Sequence, residues 1–167
     1  IGAPYTGKSI DLRKGQVVEA MIEPASAEEI TSTIKVMGGE DWALWIDSLR
    51  SVGLLADGCR NVAYSYVGPE STHAIYRAGT IGRAKEDLEA TARSLDASLA
   101  KTGGGAWTSI NKSVVTQASA AIPGVVLYLS VLFDVMKARG TNEGPMEQIV
   151  RLFRDQLAPG LTPATDA

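Results

Sequence analysis

The sequence predicts an α/β protein, and three observations carry that reading. Short β-rich runs stand at 17–22 (VVEAMI), 61–67 (NVAYSYV) and 106–111 (AWTSIN). Between them the apolar residues recur every three or four positions, the period of amphipathic helices. Strands that alternate with such helices layer helix on sheet. At 167 residues, with 45% hydrophobic and 21% charged side chains, the chain is long enough to bury one ordinary core.

The elements follow in order. VVEAMI is the first expected strand. Ser26 and Glu29 stand in the spacing of a capping box, opening a helix with Ile30, Ile34 and Met37 on one face, and Gly38 and Gly39 stop it. A second amphipathic stretch presents Trp42, Trp45, Ile46 and Leu49 before Gly53 and Gly58, and NVAYSYV then alternates as a buried strand. From Ile81 to Ala100 the apolar positions Ile81, Ala84, Leu88, Ala92, Leu95 and Leu99 predict a long helix. The glycines at 103–105 end it as a turn rather than as a phosphate cradle, because no helix N-terminus follows them directly. AWTSIN is the next strand.

Ser113 to Phe133 is a run of 21 residues without a charge, long enough to cross a bilayer. Thr116, Gln117, Ser119 and the Pro123-Gly124 pair interrupt it, so the expectation is no membrane span and a buried helix over about 123–137 after a polar loop. A last helix, 143–157, carries Met146, Ile149, Val150 and Phe153 on one face.

A formal charge of −3 and a pI near 5.2 provide no basic field for a nucleic-acid backbone. The single cysteine, Cys59, cannot close an internal disulfide and reads as a spectator thiol. The absence of a signal-peptide pattern points to the cytoplasm. One His and one Cys do not make a zinc cluster, so no metal is expected, and His73 reads as a polar loop residue.

Residues Gly2 to Ser9, GAPYTGKS, match the phosphate-loop pattern GxxxxGKS. That reading needs a strand before Gly2 and a sustained helix from Lys8, with VVLYLSVLFD, ending at Asp134, as the acidic metal-binding strand. Gly15 and the β-rich QVVEA shorten any such helix to barely two turns, which leaves the phosphate loop as the alternative reading.

Lys85 falls on the apolar stripe of the long predicted helix, beside Ile81, Leu88, Ala92 and Leu99. A lysine there either runs its stem along the core edge to water or has a partner. Upstream lie Tyr66 and Tyr76. An ammonium beside a phenol favours the phenolate and lowers its pKa, so tyrosine and lysine make a workable proton-donor pair. Nine residues of helix turn through roughly 900°, which puts Tyr76 and Lys85 on opposite faces of one straight helix. Gly79 and Gly82 lie between them, so Tyr76 is expected on irregular chain or a broken turn, with the regular helix starting near Thr80.

The stretch SYVGPESTHAIYRAGTIGRAK, residues 65–85, resembles the active-site segment of the NADH-dependent trans-2-enoyl-CoA and enoyl-acyl-carrier-protein reductases of the FabV type, marked by a tyrosine and a lysine with eight residues between them. The likeness continues through IEPASAEEI, VMGGEDWALWID, GGGA and KSVVTQASAAIP. It implies part of a Rossmann-like, short-chain-dehydrogenase-related three-layer fold with a helical substrate-binding portion. By that resemblance Tyr76 is the catalytic proton donor to the enolate oxygen, and Lys85 binds the nicotinamide ribose and supports Tyr76. Tyr66 contacts substrate, and Val114, Val115 and Thr116 contact the cofactor, NADH.

The implied reaction is reduction of the C2–C3 double bond of an enoyl-CoA or enoyl-ACP thioester in fatty-acid synthesis, by a cytoplasmic protein expected to be a monomer. The helix after Pro123, with Tyr128, is expected either to line the acyl pocket or to serve as ordinary core. Many members carry proline at the position of Ala74 and near Val126, so both turns are expected to be looser here. The family's glycine-rich dinucleotide fingerprint has no counterpart in this sequence, so the chain reads as an internal piece. Its residues 1–157 would be catalytic region and 158–167 linker or tail, and a non-catalytic fragment is a further alternative.

Overall fold

The computed structural model describes residues 4–116, 122 and 124–165, so Gly2, Gln117, Ser119 and Pro123 of the readings above lie outside the described residues. The chain forms two compact units, one built on residues 23–110 and the other on 6–22 with the chain from 111 onward.

The first unit contains α1 (Ala27–Met37), α2 (Glu40–Ser51), β3 (Arg60–Ser65), the single turn α3 (His73–Tyr76), α4 (Thr80–Leu99) and β4 (Gly105–Ile110). The capping box of α1 is formed: the Glu29 N–H donates to Ser26 Oγ at 3.2 Å and the Ser26 N–H to Glu29 Oε2 at 2.8 Å. The α1–α2 junction is tied to α4 by the Gly39 N–H, which donates to Asp87 Oδ2 at 2.9 Å. β3 and β4 pair in parallel, from Arg60 opposite Gly105 to Ser65 opposite Ile110. A parallel pair needs a crossover, and α3 with α4 supplies it.

α4 packs on both α1 and β4. Ile46, Leu95, Leu99 and Ala106 form a buried cluster with Trp42 and Leu55 against it. Trp45, expected on the same apolar stripe, is instead 62% exposed. The buried and half-buried side of α2 is Trp42, Ala43, Ile46 and Leu49, and Trp45, roughly 100° round the helix from Ile46, lies at the edge of that side. The helix ends in a 3₁₀ turn, Ala100–Thr102, with Gly103 in the left-handed conformation, as the glycine run predicts.

In the second unit β1 (Tyr5–Asp11) and β2 (Gln16–Ile22) form a two-stranded sheet. Tyr5 to Ser9 of the phosphate-loop octet are therefore strand, with Lys8 and Ser9 in the middle of β1. The phosphate-loop reading fails here, because no helix follows Lys8 to present N–H groups to a phosphate. The reason lies in DLRKG: Asp11 Oδ1 accepts from the Arg13 and Lys14 N–H groups at 2.9 and 3.2 Å. Gly15, at φ 62°, closes the turn on the Asp11 carbonyl at 2.8 Å.

VVLYLSVLFD is helical, within α5 (Val125–Ala138), and so cannot be a metal-binding strand. α5 buries Val125, Val126 and Leu129. α6 (Pro145–Asp155) follows, with Pro145 at its first turn. Among the described residues no helix is long and apolar enough to cross a membrane.

Lys112 ties this unit together. Its N–H donates to Gln148 Oε1 at 2.6 Å, and its Nζ donates to Asn142 Oδ1 at 2.7 Å and the Glu143 carbonyl at 2.6 Å. The same ammonium lies 4.5 Å from the centroid of the Phe133 ring.

Candidate active site

The site is built where β3 ends. Ser65, the last residue of that strand, is 8% exposed, and its Oγ accepts from Lys85 Nζ at 2.9 Å. The lysine on the apolar stripe of α4 thus has a partner across the unit, twenty residues away in sequence, rather than running out to water.

Tyr66 leaves the strand and sets its ring edge-on to the ring of Tyr76, centroids 5.0 Å apart and planes at 79°. The chain between them is a loop with a 3₁₀ turn at Glu70–Thr72, closed by the Thr72 N–H and Oγ1, both donating to the Pro69 carbonyl at 2.8 Å. His73 Nε2 lies 3.1 Å from the Gly68 carbonyl, a hydrogen bond that its N–H tautomer donates. Gly68 is buried against the tyrosine: a Cβ there would lie 3.4 Å from Tyr76 Cδ2 and 1.9 Å from Thr72 Oγ1.

Tyr76 ends α3, and the chain breaks before α4, as the spacing of nine required. The N–H groups of Arg77 and Ala78 both return to the His73 carbonyl, at 2.9 and 2.8 Å, which closes the short turn. Gly82 lets that turn lie directly on α4, since a Cβ there would stand 2.0 Å from the Arg77 carbonyl oxygen.

Burial pushes the Tyr76 phenol above its ordinary value. Burial also lowers Lys85; Glu89 opposes that shift and Arg77 adds to it. The expected lowering of the tyrosine by an adjacent ammonium is thus reversed. The lysine's hydrogen bond goes to Ser65, and loss of water dominates at the phenol. A raised phenol is protonated at neutral pH, which is the form that donates.

Val114, Val115 and Thr116 are exposed and follow β4 in the second unit. The structure sets Tyr66 against Tyr76 and holds Lys85 on Ser65, the residue before Tyr66. Cys59 Sγ accepts from Asn61 Nδ2 at 3.1 Å. Among the described residues no three His, Cys, Asp or Glu side chains are grouped to hold a metal. Sequence reasoning missed Ser65, although a small polar residue closing an apolar strand just before Tyr66 was the available signal. It also passed over His73 as the anchor of the Tyr76 turn.

A parallel βαβ unit with tyrosine and lysine gathered at the carboxyl end of its first strand belongs to the Rossmann-like α/β class. More narrowly, the chain belongs to the family described as the trans-2-enoyl-CoA reductase catalytic region, whose model matches residues 1–158. It is 55% identical over 166 residues to an enoyl-[acyl-carrier-protein] reductase [NADH] of Opitutus terrae, covering 99% of this chain and 42% of that protein. It is 55% identical over 156 residues to a trans-2-enoyl-CoA reductase [NADH] of Ruminiclostridium cellulolyticum, covering 93% and 40%.

Among solved structures it resembles the trans-2-enoyl-CoA reductase of Clostridium acetobutulicum in complex with NAD, at a TM-score of 0.93 and 40% identity, covering 99% of this chain and 43% of that one. The Treponema denticola enzyme in complex with NAD is similar at a TM-score of 0.87 and 52% identity, covering 93% and 39%. The chain spans about two fifths of the length of the curated relatives it matches.

Proposed function

We propose that this chain carries the proton-donating half of an NADH-dependent reductase of trans-2-enoyl thioesters. The observation that supports this most directly is a buried Tyr76 packed against Tyr66, with the Lys85 ammonium held on Ser65 at the end of β3. In parallel α/β units ligands bind outside the carboxyl ends of the strands, which is where Tyr66 leaves β3.

NADH, when bound, supplies the hydride that adds at C3 of the enoyl group. Tyr76 donates to the thioester oxygen as negative charge develops there, and protonation at C2 completes the saturated acyl chain. Lys85 binds the nicotinamide ribose and keeps a positive charge beside the site. Tyr66 contacts the substrate, and Val114, Val115 and Thr116 contact the cofactor. Residues 1–157 form the catalytic region and 158–167 a tail. The substrate is an enoyl-CoA or enoyl-ACP, and the protein works as a monomer in the cytoplasm, a compartment that suits the free thiol of Cys59.

The test follows loss of NADH absorbance with crotonyl-CoA in the full-length protein and in the 167-residue chain, each with Tyr76→Phe alongside. Full-length activity that falls by about a hundredfold or more in Tyr76→Phe supports the assignment, the range expected for loss of a positioned proton donor. Full-length activity unchanged by Tyr76→Phe sinks it. Lys8→Ala is expected to leave the rate as it was, because Lys8 lies within strand β1.

A further inference from the structure

Resting on the reading that Lys85 serves the reaction, we infer that Ser65 is a positioning residue, whose hydroxyl fixes the Lys85 ammonium at the carboxyl end of β3. α4 delivers only the backbone of Lys85, and a four-carbon stem leaves its Nζ free to swing through many rotamers. Something off the helix has to choose among them.

The charged neighbours do not choose. Glu89 and Arg77 act on Lys85 in opposite senses, and they pair with each other at 4.0 Å. Ser65 does, at 2.9 Å. Its own position is held by the parallel ladder, as the last paired residue of β3 opposite Ile110, and it is buried. A short side chain on a paired strand has little freedom, so its Oγ is a fixed point.

The chemistry of the anchor matters as much as its place. A carboxylate at 65 would form an ion pair and cancel the charge that a ribose or an enolate needs to feel. A neutral hydroxyl takes one of the three N–H donors of the ammonium and leaves two for other groups. It orients the lysine without neutralising it.

The test is a double-mutant cycle in the full-length protein with NADH and crotonyl-CoA. Ser65→Ala is expected to lower kcat/KM for NADH by roughly tenfold or more, the scale of a hydrogen bond to a charged group. Ser65→Thr, which keeps the hydroxyl, is expected to recover most of that loss. In a Lys85→Met background, Ser65→Ala should cost less than about twofold, because its effect runs through the lysine.

A thermal melt accompanies each variant. If Ser65→Ala does not fold, Ser65→Cys, which keeps the shape and offers only a weak acceptor, takes its place with the same expectation. Kinetics of Ser65→Ala equal to wild type would overturn the inference while Lys85→Met still loses activity. So would a full tenfold loss on top of Lys85→Met. Wild-type rates in Lys85→Met itself would overturn the underlying reading of Lys85 and the inference with it.

Discussion

The ring of Tyr76 is met edge-on by the ring of Tyr66, with centroids 5.0 Å apart and an interplanar angle of 79°. One ring comes from the chain leaving β3 and the other from the single turn α3, so the contact sets where the Tyr76 phenol points. Tyr66→Phe keeps the pair and is expected to keep the fold. Tyr66→Leu loses the edge-to-face contact, worth about 0.5–1.5 kcal/mol, and should lower both melting temperature and enoyl reduction relative to Tyr66→Phe. Equal activity in the two variants would mean that the aromatic contact does not orient Tyr76.

The two opposed pKa shifts predict opposed pH dependences. Tyr76 is raised by burial, so between the ordinary phenol value of about 10 and its higher folded value the native state holds a proton that the unfolded chain has lost. Its contribution to stability is present below pH 10 and is lost as the pH rises through the folded value. Lys85 is lowered, first by burial. Between its folded value and the ordinary lysine value the unfolded chain holds the extra proton, so stability rises with pH in that window. Absorbance titration of phenolate in wild type against Tyr76→Phe checks the first, with the difference between the two appearing above the ordinary phenol value. NMR of ¹³C-methylated lysines in wild type against Lys85→Met checks the second, with the Lys85 signal titrating below the ordinary lysine value.

Gly82 is the point where the Tyr76 turn rests on the helix that carries Lys85. In Gly82→Ala the new methyl would meet the Arg77 carbonyl oxygen at 2.0 Å, a clash with backbone that cannot rotate away. Overpacking of this kind costs about 1–3 kcal/mol, and the displaced turn carries Tyr76 with it. Denaturant unfolding should show the loss of stability, and activity should fall by more than stability alone explains. An unchanged unfolding midpoint would show that the turn has room to move.

In the second unit Lys112 is expected to carry stability well beyond an ordinary surface lysine. Lys112→Ala removes two hydrogen bonds from Nζ and the ammonium over Phe133. The cost expected is about 1–3 kcal/mol. Lys112→Arg should restore part of it, because a guanidinium also stacks on an aromatic ring. Thermal unfolding of the two variants against wild type measures this, and a loss below about 0.5 kcal/mol would place Lys112 among ordinary surface positions.

Much of the local structure was legible in the residues. Ser26 with Glu29 specifies a helix start, Gly103 a helix end, and the separation of Tyr76 from Lys85 forbids a single helix through both. All of these depend on groups within a turn or two of each other, so spacing alone encodes them. DLRKG belongs with them, since the Asp11 turn rests on groups two to four residues apart.

The sequence by itself therefore determined the class of fold, the break before α4 and the tyrosine and lysine proposed as a proton-donor pair. Only the tertiary structure decided that Lys85 ends on Ser65, that Tyr66 lies on Tyr76, that Trp45 faces outward, and that Tyr76 is raised rather than lowered. Each of these depends on which surfaces meet when β3, β4 and α4 pack. Periodicity along a chain says which face of an element is apolar, and the meeting of faces sets which polar groups lose water and which find a partner.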